Sequence, residues 1–326
     1  MTRRDVLAEL AATALVAAVP SPASTATAGA NAPDVDYDLV TPSGTLGGTL
    51  TLPAVSHPPV ALIIAGSGPT DRNGNSALLR CDTYRLLAAA LASRGIATVR
   101  YDKRGIGASR AAGVDEEKLR FDTLVDDAAR WIAKLRADAR LGRVAIAGHS
   151  EGSLIGMLAA AKTNVDAFVS LEGVGFPAAD AIRRQMAPQL AALPDVAAEN
   201  ERILQALVAG KRAPDVPGLL QALYRPSVQP YLISWFKYDP RVAIAALTCK
   251  TVIVQGTFDL QVTADDARAL AAANKAATLT LVERMSHTLK DAADATLVTQ
   301  VKTVYADPSL PIDAAVPAAV ALAIAP

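Results

Sequence analysis

Short apolar runs alternate with amphipathic stretches along most of this chain. The runs are continuous, which is typical of strands buried on both faces of a sheet. The amphipathic stretches carry apolar residues at helical spacing, as at Leu124, Ala128, Trp131 and Leu135. Strands that alternate with helices predict an α/β fold with a mostly parallel sheet covered on both faces. The predicted strands are 60–64, 96–101, 143–147, 165–171, 251–255 and 278–282, and the predicted helices include 76–93, 151–161 and 264–273.

The alternation stops between about residues 176 and 247, where the pattern predicts helices and no strand. We therefore expect a helical cap over 177–246, inserted into a core formed by 31–176 and 247–326. Short connections are the rule between strands of one sheet, so an insertion of this length is unusual and suggests a separate role. The helices predicted in the cap are 178–193, 197–209 and 218–224.

Both ends of the core have simpler patterns. Before the first buried strand, 37–40 and 47–52 predict a hairpin around the turn Pro42-Ser43-Gly44. The tail 313–326 is rich in alanine and predicts a last helix.

The first 30 residues have the features of an export signal. Arg3 and Arg4 form a charged start, 10–19 is apolar but too short to span a bilayer, and the A-x-A sequences 26–28 and 28–30 are candidate cleavage sites. The paired arginines favour the twin-arginine route over an ordinary secretory signal. We expect an exported protein, periplasmic or secreted, whose mature chain is not stably inserted in a membrane.

Composition narrows the possible partners. Lys and Arg total 32, as do Asp and Glu, so a net charge of zero gives no reason to expect nucleic acid as a partner. Cys81 and Cys249 are the only cysteines, too few for a disulfide framework or a Cys-rich metal site. They are predicted near opposite ends of the sheet, so we expect them to be unbonded.

The sequence G-H-S-E-G at 148–152 is the strongest chemical signal. It follows a predicted strand and precedes a predicted helix, the context that the G-x-S-x-G nucleophile elbow requires. Glycines two positions either side of Ser150 leave room for a sharp turn that lifts the hydroxyl above the sheet. The backbone N–H of Glu151 would then face the oxyanion that forms during acyl transfer.

A second oxyanion donor is expected from the loop after the first core strand. The sequence A-G-S-G-P at 65–69 lies there, and the N–H of Ser67 is our first choice, with that of Gly68 as the second. The loop at 101–107 also contains glycines but lacks the G-K-[ST] ending of a phosphate loop. We expect Asp102 and Arg104 in that loop to form a structural ion pair.

In this architecture the general base and the acid that orients it follow the serine in chain order. His287 is the only histidine near the end of the last strand, whereas His149 flanks the nucleophile and His57 lies before the first core strand. Asp259, on the loop after 251–255, is the predicted acid that orients the imidazole. Glu172 ends an earlier strand and is a rival for that role.

Together these segments resemble bacterial α/β-hydrolases of the serine aminopeptidase S33-like and carboxylesterase-like kind. The resemblance implies the α/β-hydrolase fold, a Ser-Asp-His triad and ester hydrolysis. Two departures are Cys81, where a polar residue is usual, and Glu172, where a small residue is expected and a carboxylate would narrow or charge the acyl pocket. The matching segments are 66–75, 101–107, 148–152, 227–230, Trp235 and 259–262.

The sequence therefore predicts a serine hydrolase that cleaves small-molecule carboxylic esters without a cofactor or metal. Aminopeptidase and thioesterase activities on the same triad are alternatives, as is an inactive binding protein on the hydrolase fold. An aminopeptidase needs an anionic group to hold the substrate ammonium, and no carboxylate cluster stands out. The sequence leaves the acyl and alcohol groups and the oligomeric state open.

Overall fold

A computed structural model describes residues 32–77, 79–113 and 115–325, and the predicted export segment lies outside them. Two sheets are present, one of eight strands and one of two. The strands are β1 (Asp34–Asp36), β2 (Leu39–Thr41), β3 (Gly44–Leu46), β4 (Gly48–Thr51), β5 (Val60–Ile64), β6 (Ala97–Tyr101), β7 (Val144–His149), β8 (Ala167–Leu171), β9 (Lys250–Gly256) and β10 (Thr278–Val282).

The large sheet has the order β1-β4-β6-β5-β7-β8-β9-β10. Strands β1 and β4 are antiparallel to their neighbours, and the pairs from β6 through β10 are all parallel. The predicted mostly parallel sheet is thereby confirmed, and the carboxyl ends of β6, β5 and β7 lie side by side at one edge.

Helices occupy both faces of the large sheet, and several more lie between β8 and β9. The helices are α1 (Thr83–Ala92), α2 (Phe121–Ala137), α3 (Glu151–Thr163), α4 (Ala178–Leu190), α5 (Pro194–Val208), α6 (Gln221–Tyr224), α7 (Gln229–Trp235), α8 (Pro240–Ala245), α9 (Ala264–Ala273), α10 (Leu297–Gln300) and α11 (Ala315–Ile324). Short 3-10 helices are Gly107–Ala112, Glu116–Lys118 and Gly218–Leu220, and a short π-helix is Val301–Tyr305.

Strand β5 shows how the core is divided between the two faces. All five of its residues are buried, and successive side chains of a strand point to opposite faces. Leu62 and Ile64 pack in a cluster with residues of α2, α3 and α9, including Trp131. Ile63 packs in a second cluster with residues of α1 and α11, such as Leu87.

The predicted N-terminal hairpin has different strands from those expected. The chain does turn at Pro42-Ser43, but the paired strands are β2 and β3. Strand β4, predicted as the second arm, pairs instead with β1 and β6 in the large sheet. Gly48 permits this placement, because a Cβ there would lie 2.6 Å from the ring of Trp131.

Helix α1 begins at Thr83, seven residues later than the predicted start at 76. The preceding residues form a loop in which the Asp71 carboxylate accepts hydrogen bonds from the backbone N–H groups of Asn73 and Asn75. The Asn75 amide in turn binds Asp82. Side chains that bind nearby backbone groups compete with a helix, and here they exclude it.

Five helices, α4 to α8, lie between β8 and β9, within the predicted insertion. Buried residues of α4 to α7 form a cluster of their own that includes Ile203, Leu207 and Tyr224. Helix α8 differs, because Ile244 belongs to the core cluster. Trp235 at the end of α7 stacks on Phe121 of α2, with ring centroids 5.6 Å apart and planes 5° from parallel. This stack attaches the inserted helices to the core.

Two further expectations concern the chain as a whole. Cys81 and Cys249 are both free thiols, which confirms the prediction that they are not bonded to each other. Among the residues that the structure describes, no helix is long and apolar enough to cross a membrane.

Candidate active site

Ser150 lies at the turn between β7 and α3, with backbone angles φ 53° and ψ −121°. A non-glycine residue rarely adopts a positive φ, and such strain is characteristic of functional positions. The flanking glycines are required, since a Cβ at Gly148 would lie 2.4 Å from the carbonyl oxygen of Gly152. A Cβ at Gly152 would lie 2.3 Å from the carbonyl oxygen of Ile64. The geometry is that of a nucleophile elbow.

His287 and Asp259 form a direct hydrogen bond, with Nδ1 2.7 Å from Oδ2. Asp259 follows β9 and accepts two more hydrogen bonds through Oδ1, from the N–H groups of Gln261 at 2.7 Å and Val262 at 3.0 Å. Burial raises the pKa of Asp259, but the adjacent His287 and these hydrogen bonds outweigh it and hold the pKa below its ordinary value. An ionised Asp259 fixes the proton on His287 Nδ1 and leaves Nε2 to accept one.

His149 connects the elbow to the histidine loop. Its Nε2 lies 2.8 Å from the carbonyl oxygen of His287, and the two imidazole centroids are 4.7 Å apart. A carbonyl only accepts, so His149 Nε2 carries a proton, and Nδ1 accepts from the Tyr84 hydroxyl at 2.9 Å. Burial, followed by the effect of nearby His287, lowers the pKa of His149 to about 3, so its ring is neutral. His57, in contrast, is exposed.

The loop after β5 passes next to Ser150. A Cβ at Gly66 would lie 3.1 Å from Ser150 Cβ. The N–H of Gly66 donates to the Tyr84 hydroxyl at 3.0 Å, and its carbonyl oxygen accepts from Lys103 Nζ at 2.5 Å. The predicted donor residue Ser67 follows directly and is exposed, and Gly68 has a φ of 80°. Glu151, the other predicted donor residue, begins α3.

A buried polar cluster next to this loop was not predicted. Lys103 Nζ lies 3.3 Å from Glu151 Oε2, and the Tyr231 hydroxyl donates to Glu151 Oε1. Lys103 and Glu151 have side-chain exposures of only 8% and 3%. Tyr231 belongs to α7, so the cluster also joins the inserted helices to the elbow. No local sequence pattern indicates this cluster, because Lys103 and Tyr231 lie 48 and 80 positions from Glu151 along the chain.

Glu172 lies behind Asp259 and is not the residue bound to His287. Its Oε1 accepts from the Gly256 N–H at 2.9 Å, and its Oε2 accepts from the Gln255 amide. The side chain is fully buried, and burial together with the Asp259 charge raises its pKa well above the ordinary value. The direction of this shift favours the neutral form of Glu172, and the fully buried side chain is held in the core by these hydrogen bonds.

Glu172, Asp259 and His287 offer one possible ligand atom each, all within 4.8 Å of one another. A metal site would need these atoms free to coordinate an ion. The hydrogen bond between His287 and Asp259 and those from Gln255 and Gly256 to Glu172 already occupy them. These bonds explain why the three side chains are close together.

Replacing Glu172 by glutamine should change how stability depends on pH. A carboxyl whose pKa is raised by folding contributes stability below its unfolded pKa, about 4.3, and loses it as pH rises toward the folded pKa. Glutamine does not titrate, so the free energy of unfolding of the wild type should fall relative to that of Glu172→Gln from about pH 4.5 upward. Urea denaturation of both proteins between about pH 4.5 and 8.5 measures the difference.

The pKa of Asp259 is shifted in the opposite direction. Because folding lowers this pKa, the stability that Asp259 contributes is lost as pH falls. It is present in both proteins, so its contribution largely cancels in the comparison. A difference in unfolding free energy that stays constant over the whole pH range would contradict a neutral Glu172.

Asp102 and Arg104 are structural as predicted, but they do not pair with each other. Asp102 binds Arg72, with the closest guanidinium nitrogen at 2.9 Å, and Arg104 binds Asp127 at 2.6 Å. Each residue therefore ties the loop after β6 to a different part of the core. The expected ion pair between them is wrong, because each side chain is paired with an opposite charge elsewhere in the chain.

The chain has the α/β-hydrolase fold, and Ser150 lies on the nucleophile elbow of that fold. Matches to known proteins agree. A family model described as serine aminopeptidase, S33 matches residues 79–209. Esterase EstD from Thermotoga maritima is 25% identical over 233 residues, which cover 68% of this chain and 52% of that protein. The chain thus spans about half the length of this relative. The resemblance expected from the sequence is confirmed.

Solved structures resemble the chain in fold. The α/β hydrolase GrgF from Penicillium sp. sh18 has a TM-score of 0.55 at 19% identity, covering 78% of this chain and 91% of that one. Est1E from Butyrivibrio proteoclasticus, with ferulic acid bound, has a TM-score of 0.52 at 18% identity, covering 80% and 93%. These likenesses confirm the predicted α/β-hydrolase fold.

Proposed function

We propose that this protein hydrolyses carboxylic esters through an acyl-enzyme at Ser150. The proposal rests above all on the hydrogen bond of 2.7 Å between His287 and Asp259, in a loop whose His287 carbonyl oxygen binds His149, the residue before the strained Ser150. His287 Nε2 takes the proton of the Ser150 hydroxyl as its oxygen attacks the ester carbonyl. The tetrahedral oxyanion collapses, and the alcohol leaves with the proton from His287.

The second half of the reaction releases the acid. Water replaces the alcohol, gives a proton to His287 Nε2 and attacks the acyl carbon. The resulting oxyanion collapses, the bond to Ser150 breaks, and the serine recovers its proton from His287. Asp259 stabilises the imidazolium in both halves. The N–H groups of Ser67 and Glu151 are the proposed oxyanion donors.

Two observations bear on the alternative of an aminopeptidase. The matching family model is described as a serine aminopeptidase, which favours it. Against it, the buried carboxyl group beside Asp259, that of Glu172, already binds Gln255 and Gly256 and is not free to hold a substrate ammonium. The relation to Esterase EstD supports an ester substrate. A thioester has the same acyl carbon chemistry and remains an alternative on the same triad.

A panel of substrates tests the proposal. We expect p-nitrophenyl esters of graded acyl length to be hydrolysed with much higher kcat/KM than aminoacyl p-nitroanilides, and thioesters should be included beside them. An aminopeptidase would instead cleave the anilides, with dependence on a free amino group. Failure of any fluorophosphonate label to attach to Ser150 would favour the inactive binding protein.

A further inference from the structure

Lys103 spans the carboxyl ends of three neighbouring strands. It follows β6, its ammonium donates to the carbonyl oxygen of Gly66 after β5 at 2.5 Å, and it lies 3.3 Å from Glu151 after β7. Only 7% of the residue is exposed. Burying an ammonium is costly unless it is paired, so a lysine in this position needs both partners.

The contact of Lys103 with the Gly66 carbonyl also fixes the orientation of the peptide N–H that follows it, that of Ser67. The peptide bond from Gly66 to Ser67 is planar, and no cis bond occurs in the described residues. In a trans peptide the C=O and the N–H point in opposite directions. An ammonium that holds the Gly66 carbonyl on one side therefore directs the Ser67 N–H to the other side.

The rest of Gly66 is held as well. Its own N–H donates to the Tyr84 hydroxyl at 3.0 Å, and that hydroxyl also binds His149. The residue lies against the nucleophile, since an added Cβ would come within 3.1 Å of Ser150 Cβ. Both polar groups of Gly66 are thus bound inside the protein, and the next N–H along the chain is that of Ser67.

Glu151 gives Lys103 its counter-charge and has a second connection to the site. Its side chain accepts from Lys103 and from Tyr231, while its backbone N–H is the other proposed oxyanion donor. The buried ion pair of Lys103 and Glu151 thus connects the Gly66–Ser67 peptide to Glu151, and these two segments carry the two proposed oxyanion donors. Donors fixed before the reaction stabilise developing charge without reorganisation, which is the main source of oxyanion-hole catalysis.

We propose that Lys103 is a positioning residue that orients the Gly66–Ser67 peptide so that the Ser67 N–H points at the oxyanion. The inference rests on the proposed function, because it needs an acyl-transfer oxyanion. Lys103 does not touch the substrate in this scheme. Its effect is on the transition state, through the peptide that it holds.

Lys103→Met keeps most of the length of the side chain and removes the ammonium. We expect kcat for a p-nitrophenyl ester to fall about 10- to 100-fold, which is no larger than the fall in kcat when an oxyanion donor itself is removed. KM should change by no more than about threefold. The inhibition constant of a trifluoromethyl ketone, which forms a tetrahedral adduct with the serine, should rise by the same factor as kcat/KM falls. Lys162→Met, at an exposed lysine of α3, is the control.

A second variant separates positioning from stability. Lys103→Met leaves Glu151 buried without its cation, which destabilises the fold. Lys103→Met combined with Glu151→Gln removes that charge and should recover much of the lost stability to urea. We expect kcat and ketone binding to remain low in the double variant. Recovery of both along with stability would overturn the proposal, as would a single variant with wild-type kcat and ketone binding.

Failure of the proposed function gives a different result. If the wild type hydrolyses no ester but binds the trifluoromethyl ketone, the ester assignment is wrong, and the effect of Lys103→Met on ketone binding still tests the inference. If the wild type hydrolyses esters and Lys103→Met does so equally fast, only the inference is wrong.

Discussion

Replacing Ser150 by alanine should lower kcat for ester hydrolysis by about 10⁴- to 10⁶-fold, as loss of the nucleophile does in other triads. The described residues place no other serine at a turn from a strand into a helix between two glycines. Alanine has a Cβ, so the turn at φ 53° is no more strained than with serine, and the fold should be retained. The measurement is kcat of the purified variant on the best ester of the panel.

Two further measurements make this result decisive. A fluorophosphonate should add its mass to the wild type at Ser150 and to no residue of Ser150→Ala. Ser93→Ala, at an exposed serine after α1, should keep both labelling and turnover. Wild-type turnover by a Ser150→Ala preparation with the correct mass and an unchanged urea midpoint would show that the nucleophile lies elsewhere.

The parts of the fold that the sequence predicted are those with a repeating local pattern. The predicted strands 60–64 and 278–282 and the predicted helix 264–273 have the bounds that the structure shows. Strand 60–64 is buried along its whole length and helix 264–273 buries one side, so burial of apolar residues sets the pattern of both. Asp266 forms a capping box with Thr263 at the start of α9.

Errors arose where a distant partner decides the local structure. Strand β4 has the same alternation whether it pairs in a hairpin or with β6, and its place depends on contacts with Trp131. The start of α1 was misplaced because Asp71 organises the loop before it. Asp102 and Arg104 are two positions apart, yet each binds a residue more than 20 positions away.

The same reason explains what was missed around the candidate site. The residues of the predicted triad could be proposed because the order Ser, Asp, His and the ends of strands restrict the choice. No role is predicted for the side chains of Tyr84, Lys103 and Tyr231, and their importance follows only from the polar atoms that they reach across the sheet edge. A buried polar group must find a partner, but the sequence does not say which one.

Asp259→Asn should lower kcat about 10⁴-fold, whereas Glu172→Gln should lower it no more than about tenfold. His287 Nδ1 lies 2.7 Å from Asp259, and an asparagine there would favour the wrong tautomer, with the proton on Nε2. The raised pKa of Glu172 favours its neutral form, which glutamine matches in charge and shape, and glutamine can still accept from Gly256 or donate to Asp259. Glutamine has one acceptor oxygen, whereas the carboxyl group of glutamate has two. Both kcat values are measured on one ester.

The comparison tests the rival directly, because the two carboxyl groups lie side by side and only one of them binds the imidazole. Asp265→Asn, an exposed carboxylate paired with Arg268, is the control for the loss of a charge. If Glu172→Gln is the more damaging variant, the acid that orients His287 during the reaction is Glu172, and the pair must rearrange when substrate binds. If both variants lose activity equally and strongly, the two carboxyl groups act as one unit that shares a proton, since removing either member then removes the whole effect.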